Sequence, residues 1–192
     1  MTASLTTNTA AGTPLPLAPG RWTLDPNHSG VYFMVRHLGL SNVRGRFDRF
    51  DAHLGVGPTL DDVVVTAEID LSSVDTNNAD RDAHLRTSDF FDTARHQVMT
   101  FRSASIVSDG GDHYELAGDL TIAGITRPVV LDVEFNGTEV FPGDQSTHAG
   151  FTATTEIRRS DYGIDFGLVL GAEKVLLGDK IKVELDLQFV AP

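Results

Sequence analysis

The segment Ile181–Phe189, Ile-Lys-Val-Glu-Leu-Asp-Leu-Gln-Phe, alternates apolar and polar side chains without interruption. Successive side chains of a strand point to opposite faces, so this pattern describes a strand with one dry face and one wet face. Seven earlier segments share the period: 31–37, 43–54, 63–71, 98–107, 114–122, 126–135 and 151–159. Their dry faces read Val31, Phe33, Val35 and His37; Phe47; Val65, Ala67 and Ile69; Phe101; Leu120; Leu131 and Val133; Phe151, Ala153, Ile157 and Arg159; and, in the last strand, Val183 and Leu185. Between Phe47 and Phe50 the phase breaks, which predicts a β-bulge. Consecutive half-dry strands joined by short turns such as 108–113 predict an all-β chain, an eight-stranded antiparallel up-and-down barrel. A two-sheet sandwich is the rival. Barrels of this size either fill with side chains or hold one small ligand, and the pattern leaves both open.

The alternation stops twice. Residues 77–92, Asn-Asn-Ala-Asp-Arg-Asp-Ala-His-Leu-Arg-Thr-Ser-Asp-Phe-Phe-Asp, crowd charges into about three helical turns. Asn77 or Asn78 can cap a helix there, Asp80 and Asp82 suit its positive end, and Asp82–Arg86 is an i,i+4 pair. Phe90 and Phe91 are placed to anchor the returning chain. The second excursion, 160–180, is irregular or helical. In a meander both excursions fall at the same barrel end, with His37, Arg81, His84, Arg127 and Arg159. That is a polar collar above an apolar interior, suited to a long apolar ligand with a polar head, or equally to a solvated rim.

The chain has 192 residues and a formal charge of −12, from 15 Lys and Arg against 27 Asp and Glu. A nucleic-acid backbone would be repelled, and stable association with an anionic membrane is disfavoured. With no cysteine, disulfides, thiolate metal sites and cysteine nucleophiles are excluded. The seven histidines never fall at i,i+4, and no zinc, calcium, phosphate-loop or serine-hydrolase motif occurs. The expectation is no catalytic residue, no metal and no cofactor. Residues 1–20 carry neither a basic start nor an apolar run. They read as a disordered tail before a single domain over 21–192, in a cytoplasmic protein.

Five motifs in order carry a resemblance: WTLDPNHSGVYFMVRHLGLSNVRGRFDRFDAHL, SSVDTNNADRDAHLRTSDFFD, MTFRS, GDLTIAGITRPVVLDV and RRSDYGIDFG. Over about 22–190 the chain resembles the YceI-like family of polyisoprenoid-binding proteins. The resemblance implies a lipocalin-like eight-stranded barrel with a long isoprenoid chain inside, and a homodimer. It departs from the family at ARHQVMTF, where an aromatic–proline pair usually precedes the MTF segment. The resulting expectation is a carrier, storage or sequestering protein for a polyisoprenoid, either a quinone or a prenyl phosphate. The inward residues named above line the chain's path, and His37, Arg81, His84, Arg127 and Arg159 are head-group candidates. An enzyme acting on a prenylated substrate and a filled-barrel stress or scaffold protein are the alternatives.

Overall fold

The structure, a computed structural model, describes residues 16–167 and 176–192. Eleven strands form one sheet: β1 Gly20–Leu24, β2 Gly30–His37, β3 Ser41–Phe47, β4 Phe50–Val56, β5 Val64–Asp70, β6 Val74–Asp75, β7 Val98–Gly110, β8 His113–Ile122, β9 Ile125–Val140, β10 Thr147–Arg158 and β11 Leu177–Val190. The sheet closes because β11 pairs with β10 on one edge and with both β1 and β2 on the other. Closure excludes the sandwich.

Eight staves make the barrel, since three of them are broken in two. β1 and β2 follow one another along β11, with Leu24 opposite Phe189 and Gly30 opposite Asp186. β3 and β4 form the next stave, separated by Asp48 and Arg49 at the predicted phase break. Beyond that break Ala52, Leu54 and Val56 are the buried phase. β5 and β6 form the third stave, joined by the short 3-10 turn η1 at Leu71–Ser73. The helix α1, Ala79–Leu85, follows, then turns lead into β7. The remaining staves are continuous antiparallel strands joined in chain order.

Three expectations change. The helix is seven residues long, and the rest of 77–92 is turns. Arg159 does not extend its strand but opens the 3-10 segment η2, Arg159–Tyr162. Finally, β1 and the residues before it belong to the fold: Leu17 is buried, and the indole of Trp22 donates from Nε1 to the Ala18 carbonyl at 2.9 Å. The tail reading therefore stops short of these residues, and 1–15 and 168–175 lie outside the described ones.

The barrel core is uneven. At the end holding the β4–β5, β7–β8 and β9–β10 turns, Leu17, Trp22, Val56, Leu60 and Val63 pack with Phe135 and Phe189. Phe151 stacks between the last two, with ring centroids 5.3 and 6.0 Å away. The opposite end is covered by α1, the turns after it and η2. Among the described residues no helix is long and apolar enough to cross a membrane.

Candidate functional site: a lidded apolar cavity

Between the packed end and the covered end lies a cavity of about 480 Å³. Its wall contains Val31, Phe33, Val35 and His37 from β2, Phe47 from β3, Val65, Ala67 and Ile69 from β5, Phe101 from β7 and Leu120 from β8. Leu131 and Val133 of β9, Phe151, Ala153 and Ile157 of β10, and Val183 and Leu185 of β11 complete the set expected from strand parity. Two glycines widen it. A Cβ on Gly45 would meet the Phe33 ring at 2.3 Å, and one on Gly118 the Phe101 ring at 2.5 Å. Without those side chains the two rings lie back against the wall.

Other wall residues escaped the sequence reading. Phe50, Ala52 and Leu54 line the cavity. Their signal was present, because the phase simply restarts after the break at Asp48 and Arg49. Leu17, Tyr162, Ile164 and Phe166 also line it. They sit outside any alternating run, so no local pattern marks them.

The collar residues divide. Arg81, His84, His37 and Arg159 face the cavity, whereas Arg127 is not part of its wall. Arg127 sits at a strand end opposite Leu120, exposed, with its Nη1 on the neighbouring Thr126 carbonyl at 3.1 Å. Its guanidinium stays in solvent and so keeps its water.

The buried arginine is committed elsewhere. Arg159, 5 % exposed, donates from Nε to Gly178 O, from Nη1 to Ile164 O and Phe166 O, and from Nη2 to Leu177 O, all between 2.8 and 3.0 Å. Ile164 and Phe166 lie outside the strands, Leu177 and Gly178 lie at the irregular start of β11, and buried carbonyls need donors. Burial pulls the guanidinium below its ordinary range, with Asp179 and Asp165 opposing. Arg159 is thus the brace of the second excursion.

The same logic orders the first excursion. Arg81 donates from Nε to Thr76 Oγ1 and from Nη2 to Thr76 O, both at 2.7 Å. Asp82, buried, accepts from the Thr76 amide at 2.9 Å and from its hydroxyl. Arg86 reaches Ser72 O and Val74 O rather than Asp82, so the anticipated i,i+4 pair does not form. Asn78 caps the helix through Arg81 N at 3.0 Å. A two-turn helix is not stable alone, and these side chains tether it to the stave beneath. The crowd of charges in 77–92 is therefore chiefly a set of fasteners.

The two excursions meet over the cavity. His84 bonds Asp89 at 2.8 Å and packs edge-on against Phe90 and Phe166, with centroids 5.1 and 4.9 Å away. Below them Tyr162, Ile164 and Ile122 form a buried cluster with Phe90 and Phe91, which gives those phenylalanines the anchoring role expected of them. The Tyr162 hydroxyl is buried without a hydrogen-bond partner among the described residues. Burial, reinforced by Asp161, pushes its pKa up to about 12. His84 and Phe166 remain partly exposed, so the cavity wall reaches solvent at this lidded end.

One polar network lies at the far end of the barrel. Ser146 Oγ is 2.9 Å from His148 Nε2, and His148 Nδ1 is 2.8 Å from Gln188 Nε2, which also reaches Asp25 Oδ2 at 3.3 Å. The amide nitrogen, facing a carboxylate, points at Nδ1. The Ser146 hydroxyl donates to Asp144 Oδ1 at 2.6 Å and so is not poised to give its proton to His148. Among the described residues no group of three His, Asp or Glu side chains could hold a metal ion.

The family model for the YceI-like domain matches residues 22–189. The chain belongs to the YceI-like domain family. A UPF0312 protein of Staphylococcus epidermidis is 39% identical over 170 residues, covering 88% of this YceI-like chain and 96% of the relative. Another, from Vibrio cholerae, is 39% identical over 147 residues, covering 76% and 75%. Among solved structures, the Campylobacter jejuni YceI protein is 28% identical with a TM-score of 0.70, over 82% of this chain and 90% of that one. A polyisoprenoid binding domain from Saccharophagus degradans, implicated in plant cell wall breakdown, has a TM-score of 0.66 at 20% identity, over 89% and 98% of the two chains. The last is a likeness of fold alone.

Proposed function

We propose that this YceI-like protein holds a polyisoprenoid lipid in its barrel as a non-catalytic carrier, storage or sequestering protein. The observation that carries the reading is the cavity, about 480 Å³, walled by aliphatic and aromatic side chains and covered by a lid. That volume lies within the roughly 300–1,000 Å³ of small-ligand pockets. Hydrocarbon burial contributes about 0.8 kcal/mol per CH₂, so a few isoprene units outweigh any single head-group contact. The polyisoprenoid binding domain of Saccharophagus degradans, built on the same fold, supports the ligand class.

Of the two head groups left open by the sequence, the geometry favours the neutral quinone. Arg159 is tied to four carbonyls and Arg81 to Thr76. Neither is placed as an uncommitted cation for a phosphate. Two further expectations belong to the proposal: a homodimer, implied by the family resemblance, and a cytoplasmic location. Light scattering and cell fractionation measure them.

Native mass spectrometry tests the central claim. The purified protein, or protein incubated with an isoprenoid quinone in detergent, should show a stoichiometric lipid adduct that organic extraction removes. Ala153, 4 % exposed between Val133 and Leu185, is the control. Ala153→Trp should fold with a penalty of about 1–3 kcal/mol for overpacking and lose the adduct. A wild-type barrel that takes up no quinone, or a tryptophan variant that binds as before, overturns the proposal.

A further inference from the structure

The hairpin between β2 and β3 carries its two least sheltered leucines at its tip. Leu40 is 82% exposed and Leu38 44%. Leu40 N bonds His37 O at 3.0 Å, and the two central residues of that turn, Leu38 and Gly39, have φ of 51° and 69°. This is a turn that favours Asn-Gly. A leucine in its first central position gains nothing locally, either from backbone sterics or from contact with water. Neither leucine belongs to the barrel's core clusters. An adjacent residue, His37, lines the cavity, so the tip stands beside the lidded opening.

The sheet behind the tip is basic although the chain is strongly acidic. Register places Arg158 opposite Lys180, Lys182 opposite Met34, Met34 opposite Arg44 and Arg36 opposite Asn42. All these cations are exposed on the outer face. Arg158 is paired with Asp179 and Lys180 with Glu156. Among the described residues Arg36, Arg44 and Lys182 make no ion pair, and no acidic residue occurs from Val31 to Phe47.

We propose that this hairpin docks the protein on an anionic phospholipid bilayer, with Leu38 and Leu40 entering the interface and Arg36, Arg44 and Lys182 meeting the head groups. Apolar side chains beside basic ones are the combination that binds such surfaces. The net charge of −12 does not prevent it. Screening over about 8–10 Å at physiological salt weakens the repulsion from acids that do not lie directly beside the docked face. The docking places the cavity opening against a lipid phase, and its test requires no cavity ligand.

The full chain is mixed with vesicles of phosphatidylcholine alone or of phosphatidylcholine with phosphatidylglycerol, and separated by flotation. Wild type should float with the anionic vesicles only, and release as salt is raised. Leu38→Ser with Leu40→Ser, and separately Arg36→Ala with Arg44→Ala, should each weaken binding at least fivefold while circular dichroism and melting temperature stay unchanged. Binding that is absent, or equal for wild type and both variants, overturns the inference. So does a wild-type dimer that the serine variant splits into monomers by light scattering, because the tip would then be covered by a second copy of the chain.

Discussion

The two ends of the barrel are closed by different physics. The far end is closed by apolar packing: Trp22 is 1 % exposed and Phe135, Phe151 and Phe189 stack across it. The lidded end is closed by irregular backbone held in place by arginines, with Arg81, Arg86 and Arg159 all donating to main-chain carbonyls. Packing of the first kind is hard to open, because every contact is lost at once. A lid tied by a few hydrogen bonds opens one bond at a time, each worth about 0.5–1.5 kcal/mol net, rising to about 3 for charged donors. An apolar ligand needs this asymmetry, a firm floor and a cover that releases.

The largest expected effect tests the floor. Trp22→Ala should cost about 3–5 kcal/mol of global stability, the range for losing a buried aromatic. Because Trp22 is the only tryptophan, urea unfolding must be followed by circular dichroism rather than fluorescence. A loss below about 1 kcal/mol would show that the far end is not the more firmly closed one.

A smaller effect tests the cover. Asn78→Ala removes the cap on Arg81 N and should cost about 1 kcal/mol. Hydrogen exchange should show the loss mainly in α1, and a bound quinone should dissociate faster from this variant. Equal loss of protection throughout the sheet would mean that lid and barrel open as one unit, which removes the contrast.

The smallest effect concerns acid. Burial works against ionisation of Asp25, but hydrogen bonds from His28 and the Asn27 amide, with His148 nearby, outweigh it and hold the carboxyl below its ordinary 3.8. The ionised group binds fewer protons folded than unfolded. Its stabilisation is therefore complete above the ordinary value and is lost as pH falls from there through the lower folded one. Melting temperature should fall between pH 5 and pH 3, about the carboxylate range, and less steeply in Asp25→Asn. Identical profiles would show that other carboxylates set the acid response of the far end.

How much of this was legible in the sequence follows from how local each cause is. A strand's parity is set by its own alternation, so the inward set from Val31 to Leu185 could be named without coordinates, and all of it lies in the cavity wall. The phase break was legible for the same reason, although Asp48 and Arg49 interrupt the strand there rather than forming a bulge within one; so was the cap, since Asn78 acts on a residue three positions away. The collar was not. A charged residue near a strand end can turn inward, turn outward or serve the backbone, and its neighbours in sequence do not decide which. Arg127 kept its guanidinium in solvent and out of the cavity wall. Arg159 became a brace because residues as far along as Leu177 and Gly178 brought it carbonyls.

By itself, then, the order of residues determined the staves, their inward faces and the end at which both excursions gather, because backbone geometry repeats every two residues. Tertiary structure alone decided that the interior stays partly open, that Leu17 and Trp22 seal one end, and that the lid's arginines hold main chain. Those outcomes depend on which groups meet across long separations. A buried cation or carbonyl takes whichever partner the closed barrel brings to it.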